Sequence, residues 1–162
     1  MEVRLARMDD AEAIRDIYNL EVTTSTATFD LVPRSLAEQR AWLRARSGAH
    51  AVIVAVNETG KVTGFGALSP YRDRPAYRTS VEDSVYVGSD HRGTGVGSLV
   101  LEELVALADR HGFHAVMARI AGDHNASIAL HRRHGFALVG VEREIGRKFN
   151  RWLDVTVMQR LL

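Results

Sequence analysis

Apolar positions recur along this chain at two periods, and the switching between them lays out a fold. Val3 to Ala6 reads as a short strand. Met8-Asp9-Asp10 sets acidic cap residues before a helix to about Glu21, with Ile14, Ile17, Tyr18 and Leu20 on its apolar side. Residues 22–33, rich in Thr and Ser and carrying Phe29, read as a loop. Ser35 opens a second helix through about Arg46, stopped by Gly48. Ala51–Val56 and Val62–Leu68 read as strands joined by the turn Asn57-Glu58-Thr59-Gly60. A polar, arginine-rich segment from Pro70 to Pro75 precedes a long strand, Tyr77–Val87. Valines 96, 100 and 105 and leucines 99, 104 and 107 keep a three-to-four spacing, which predicts a helix to about Arg110 before the stop His111-Gly112. His114–Ile120 is a further strand. Asn125 is expected to cap a short helix through Arg133 that Gly135 ends. Ala137–Arg143 and Trp152–Arg160 close the chain as a strand pair.

The order β-α-α-β-β-β-α-β-α-β-β predicts one α/β domain over residues 1–162, with helices layered on a mixed sheet. The strand–helix–strand unit at 84–120 should be parallel and right-handed. With 162 residues, 46% of them hydrophobic, the chain suits one ordinary core and is short for two. Its 21 basic and 20 acidic residues nearly cancel, and no basic stripe alternates with aromatics, so a nucleic-acid partner is not expected. No apolar run approaches the roughly 18 residues of a membrane span, and Met1–Leu5 has no apolar leader character. No membrane partner and a cytoplasmic location are the expectation. Cysteine is absent, which removes disulfides, cysteine-held zinc and a cysteinyl acyl-enzyme. No histidine pair with metal-ligand spacing and a carboxylate stands out, and no metal is expected.

The chemistry begins at Arg92-Gly93-Thr94-Gly95-Val96-Gly97-Ser98, between the apolar run Ser84–Val87 and the helix that follows. Glycines let the backbone turn at positive φ and approach a ligand closely. The first helical turn offers unpaired N–H groups and the positive end of the macrodipole, a seat for a pyrophosphate. A Walker A loop would need Gly-Lys-Ser/Thr, and no lysine is near. A dinucleotide fingerprint would need Gly or Ala at Ser98 and an acid about 20 residues on, where Val116-Met117-Ala118-Arg119 stands. What remains is Arg-x-x-Gly-x-Gly.

That pattern resembles the acyl-coenzyme A loop of the GCN5-related N-acetyltransferase (GNAT) superfamily. Asn125–His131 with His134-Gly135-Phe136 is similar to its second cofactor segment. The stretches Tyr71–Arg78, Val81–Val87 and Gly146–Asp154 look like the phosphinothricin and methionine sulfone or sulfoximine N-acetyltransferase branch. The resemblance implies a mixed, mostly antiparallel sheet with a splayed strand pair at the acyl-coenzyme A site. It implies acetyl-coenzyme A as donor, a small L-amino-acid analogue acylated on its α-amine by direct transfer, and a homodimer whose C-terminal loops meet near the site. It also implies that Val85, Tyr86 and Val87 pair their backbone with the donor's amide arm, with Gly88 as a bulge that aims the Val87 N–H at the thioester oxygen. By the same likeness the loop 92–98 holds the pyrophosphate, with Arg92 adding charge, and Asn125 reaches the arm.

For the chemistry itself, Glu82 is the expected base, since a carboxylate within an apolar strand is unusual unless paired or functional. Strand alternation puts Glu82, Ser84 and Tyr86 on one face and Asp83, Val85 and Val87 on the other. His131 stands where relatives often keep a tyrosine that protonates the leaving sulfur. Arg72, Arg74 and Arg78 suit carboxylate, phosphinate or sulfone oxygens, and Asp73, Glu82, Asp83 and Ser84 are expected to contact the acceptor as well. Phe29 and Tyr77 are expected to wall the acceptor pocket. The resemblance to homodimers also implies that Lys148, Phe149 and Asn150 approach a neighbour's substrate. A protein or peptide acceptor and a non-catalytic acyl-coenzyme A sensor stand as alternatives.

Overall fold

The computed structural model describes residues 1–162. One seven-stranded sheet runs through it in the order β1-β2-β3-β4-β5-β7-β6. The strands are β1 (Glu2–Leu5), β2 (Val52–Val56), β3 (Val62–Pro70), β4 (Ser80–Val87), β5 (Ala115–Ala121), β6 (Ala137–Lys148) and β7 (Arg151–Leu161). The helices are α1 (Ala11–Thr24), α2 (Leu36–Arg44), α3 (Val96–Arg110) and α4 (Asn125–Arg133). Every neighbouring strand pair is antiparallel except β4 and β5, the pair that α3 connects. The mixed, mostly antiparallel α/β sheet expected from the sequence is therefore the one observed, and the 84–120 unit is parallel as anticipated.

Two cores sit on opposite faces of the sheet. On one, α3 buries Val96, Val100, Leu101, Leu104 and Ala108 against Ile53, Leu68, Val81 and Val116. On the other, α1 buries Ala11, Ile14, Tyr18 and Val22 with Val54, Phe65 and Ala67. The α3 contact is close because Gly64 and Gly66 carry no side chain. A Cβ at Gly66 would stand 2.6 Å from Val100 and 2.7 Å from Leu104. Leu20 and Leu99 depart from the sequence reading: both are about 40% exposed, at the margins of their helical stripes.

Several boundaries also differ; α1, for one, runs on through Val22 to Thr24, into the stretch read as loop. Tyr77–Thr79 belong to a 3-10 turn, Pro75–Thr79, so β4 starts only at Ser80. A proline at its first position pre-sets that turn. Asn125 does not cap α4; it is the first helical residue, after His124, and no side-chain cap bond forms. The closing hairpin is longer than expected, because β6 runs to Lys148 and β7 starts at Arg151. Phe149 (φ 50°) and Asn150 (φ 59°) make the two-residue turn between them, both in the left-handed region that such hairpins use.

Candidate active site

The site lies where β4 and β5 part. Their parallel pairing covers only Ser80↔Ala115, Val81↔Val116 and Glu82↔Met117. Beyond that, β4 stays paired with β3 to Val87, and β5 stays paired with β7 to Ala121. The inner edges from Asp83 and Ala118 onward therefore face each other across a gap. The Gly88 N–H donates to the Thr63 carbonyl at 2.9 Å, so the ladder runs straight into the following turn and Gly88 is not the bulge expected of it. Antiparallel pairs alternate between bonded and non-bonded. With Gly88 and Thr63 bonded, the Val87 and Val85 N–H groups point away from β3, toward the gap.

A cavity of about 280 Å³ fills the gap. Glu82, Asp83, Ser84, Val85 and Tyr86 line it from β4, Ala118–Ala121 from β5, and His124, Ser127 and His131 from α4 and its approach. Thr28 and Phe29 close it from the loop after α1. The face alternation expected for β4 holds: Val85 and Val87 pack toward α3, and Tyr86 packs on Phe65 and Tyr18.

Glu82 is half-buried and has no hydrogen-bonded partner within the chain. Burial pushes its carboxyl above the usual carboxylate range, and the Arg119 charge opposes that only in part. Arg119 is itself engaged by a two-pronged pair with Glu142, at 2.9 and 2.5 Å. A carboxylate so placed takes up a proton more readily than a solvated one, which suits a general base.

His131 reaches the cavity wall in a different role from the one expected. Its Nε2 lies 2.9 Å from Asp83 Oδ2, and its Nδ1 lies 2.8 Å from the Ser127 carbonyl oxygen. Both partners are acceptors, so both ring nitrogens donate, which is the inventory of the imidazolium. Burial pulls the His131 pKa down, but the Asp83 hydrogen bond and charge outweigh it and the net direction is upward. Asp83 and His131 are 6% and 4% exposed, so the pair is a buried clamp between β4 and α4. The two N–H groups of His131 are spent on Asp83 and on the Ser127 carbonyl.

The glycine loop is open. Gly93 (φ 74°) and Gly95 (φ 91°) hold left-handed conformations, and a Cβ built on either meets nothing within 4 Å. Gly95 immediately precedes the first turn of α3, so the N–H groups of that turn face the open side. Thr94 donates its hydroxyl to the His91 carbonyl at 2.7 Å, and Ser98 Oγ lies 2.7 Å from His134 Nε2. Arg92 is not left free for phosphate: its guanidinium pairs with Glu21, a buried residue near the end of α1. Asn125 is exposed beside His124 and Ser127, which line the cavity.

The acceptor arginines are where the structure departs most from the sequence reading. Arg72, Asp73, Arg74, Tyr77 and Arg78 are all exposed and none lines the cavity. Arg72 stacks on Tyr71 and Tyr71 meets Tyr77, forming a cluster of their own outside the cavity lining. Phe29 does wall the cavity, and it rests on bare backbone: a Cβ at Gly146 would fall 2.3 Å from its ring. Lys148 turns inward instead of toward a neighbour, donating to the Thr28 carbonyl at 2.9 Å and the Glu21 carbonyl at 3.4 Å. Burial lowers its pKa. Tyr18 adds hydroxyl contacts to Thr28 and Asp30, and Thr26 bonds His124 at 3.1 Å. The loop 25–30 is thus pinned from three sides over the cavity. Arg119, Thr28, His124 and Ser127 escaped the sequence reading; of these only Arg119 carried a signal, a charge within an apolar strand.

The geometry has counterparts among known proteins. Residues 13–136 match the model of the acetyltransferase (GNAT) family. An L-methionine sulfoximine/L-methionine sulfone acetyltransferase of Pseudomonas aeruginosa is 40% identical over 159 residues, covering 97% of this chain and 92% of that protein. A phosphinothricin acetyltransferase from Sinorhizobium meliloti, solved in complex with acetyl-coenzyme A, superposes with a TM-score of 0.96 at 40% identity, over 99% of this chain and 88% of that one. A ribosomal-protein-alanine N-acetyltransferase from Brucella melitensis superposes at 0.97 with 37% identity, over the whole of both chains. With the family model spanning most of the chain and the gap between β4 and β5 in place, this protein belongs to the acetyltransferase (GNAT) family.

Proposed function

We propose that this protein transfers the acetyl group of acetyl-coenzyme A to the α-amine of a small L-amino-acid analogue of the methionine sulfone, methionine sulfoximine or phosphinothricin type. The observation that carries the reading is the unpaired β4 edge from Asp83 to Val87, set beside a half-buried Glu82 and ahead of the open glycine loop. The donor's diphosphate fits the N–H groups from Gly93 to Ser98. Its amide arm fits the β4 edge as an added strand, with Val85, Tyr86 and Val87 as the backbone it follows. The relatives named above, one of them solved with acetyl-coenzyme A, support the same donor.

In the reaction, Glu82 takes a proton from the acceptor's ammonium, directly or through one water, and the freed amine attacks the thioester carbonyl. The Val87 N–H stabilises the negative charge that develops on the carbonyl oxygen. The C–S bond then breaks, the nitrogen sheds its second proton, and the departing thiolate takes that proton up, directly or through water, without a strong acid, since a free thiol titrates near 8.5. Asp83 and His131 hold β4 and α4 in register around this geometry as positioning residues. Without a cysteine nucleophile, both substrates bind together and transfer is direct.

The acceptor cavity, about 280 Å³ and covered by the pinned loop 25–30, suits an amino acid better than a folded protein's tail. We further propose a homodimer formed through the β6–β7 arm, where Val139, Val141, Ile145 and Trp152 each expose more than half their surface. A thiol-release screen over amino acids, their sulfones, sulfoximines and phosphinates, and short peptides tests the acceptor. Turnover confined to peptides would reject the small-molecule reading.

A further inference from the structure

The arginines expected to meet an acceptor's oxygens are exposed and outside the cavity lining, while two others lie against an internal space. A second cavity of about 100 Å³ opens between α2 and the sheet, sharing Ser84 and Tyr86 with the first. By the same measure one water needs roughly 10–15 Å³, so the space admits a group of several heavy atoms. Arg34 and Arg46 both stack on Trp42, their guanidinium carbons 5.1 and 4.2 Å from a ring centroid.

Arg46 has no carboxylate partner, and Arg34 has one, the half-exposed Asp30 outside the cavity. Arg46 uses only Nη1, donating to the Leu68 carbonyl at 3.3 Å and to Ser69 Oγ at 2.9 Å. It makes no salt bridge, and no acidic residue lines the cavity. Burial and the neighbouring Arg34 charge both pull its pKa down. Arg34 donates to Gln39 Oε1 at 3.3 Å, lies 4.0 Å from the Tyr18 ring centroid and pairs with Asp30 at 3.5 Å, an acid that also receives the Tyr18 hydroxyl. Gln39 is fully buried and its Nε2 has no partner. Two half-buried guanidinium forks facing one space repel each other, and an oxyanion relieves this by accepting from both.

We propose that Arg34 and Arg46, held over Trp42, form a binding site for a small oxyanion. The ligand is a carboxylate or an inorganic ion of sulfate type. Two sources share that chemistry: an acidic or sulfonyl group of the acceptor, reaching past Ser84 and Tyr86, or a free inorganic ion.

The protein contains two tryptophans, so Trp152→Phe leaves Trp42 as the only indole. Titrating that variant with sodium sulfate, at ionic strength held constant with sodium chloride, should give a saturable change in Trp42 fluorescence. Adding Arg46→Met, or separately Arg34→Met, should weaken the midpoint by about tenfold to a hundredfold. Two arginine variants guard against one of them failing to fold. Adding Gly95→Glu should leave the sulfate response in place. A response that is absent, does not saturate, survives both arginine variants, or vanishes with Gly95→Glu overturns the site. The source is read kinetically, on the proposed acceptor reading. Sulfate that competes with L-methionine sulfone identifies the acceptor's own group; sulfate that leaves its KM unmoved identifies a free ion, and both stand with the site. An enzyme silent toward every amino acid sinks the acceptor reading alone, because the fluorescence titration needs no turnover.

Discussion

Asp83 and His131, 48 residues apart in sequence, meet at 2.9 Å as a buried ion pair behind the cavity between β4 and β5. Replacing His131 with Gln should be costly, because it leaves the Asp83 carboxylate unpaired, and Asp83 Oδ1 already lacks a partner. Breaking such a pair costs about 3–5 kcal/mol. The sign of its pH dependence is fixed by the raised His131 pKa. That contribution is fully present below the unfolded value near 6.5 and is lost as pH rises through the folded value. Urea unfolding of wild type and variant should show the widest gap at about pH 5.5–6 and a narrower one toward pH 9. A gap that widens with pH would show a neutral imidazole in the folded protein.

Glu82→Gln should lower kcat/KM by about 10²–10⁴, the usual reach of a general base, while leaving the Kd for acetyl-coenzyme A within a factor of two or so. Because burial raises the Glu82 pKa, the acidic limb of the wild-type kcat/KM profile should lie above the ordinary carboxylate value of about 4.3. The limb should disappear in the variant. Wild-type turnover by the variant across about pH 6–9 would remove Glu82 from the mechanism.

Gly95→Glu tests the donor loop. At φ 91° any side chain is strained, by about 1–2 kcal/mol, and a carboxylate there repels a diphosphate. Calorimetry should show acetyl-coenzyme A binding weakened roughly tenfold or more, against a modest fall in melting temperature. Equal affinity in the two proteins would place the diphosphate elsewhere.

Gly146 is the floor beneath Phe29. Gly146→Val forces the ring off its seat, since even a Cβ would lie 2.3 Å from it. The expected result is a change in kcat/KM ratio between small and bulky acceptors, of about tenfold, with donor affinity retained. A uniform loss across acceptors would reduce Gly146 to a structural role.

The helices and most strands were legible because each satisfies a local rule. The α3 stripe from Val96 to Ala108 keeps its period, and Ser35 with Glu38 forms the capping box that opens α2. The glycine loop was legible because positive φ at Gly93 and Gly95 is a backbone demand written into residue type. The closing hairpin was read too short for the converse reason: Phe149 sits at positive φ, where an aromatic gives no warning. Long-range pairings left no trace in the pattern. Arg92 looked like a phosphate ligand because nothing local announced Glu21, 71 residues earlier. Arg72, Arg74 and Arg78 looked like acceptor ligands because charge density is visible in sequence and direction is not.

The parting of β4 from β5 after three residue pairs has a cost to the protein when it stands alone. Main-chain groups at the centre of the sheet, ordinarily its best shielded part, are left to water. Amide hydrogens of Val85 and Val87, which point into the gap, should therefore exchange faster than those of Ser84 and Tyr86, which are held by β3, and slow once a donor molecule supplies the missing strand. In this architecture the guest completes the sheet, so occupancy and rigidity rise together.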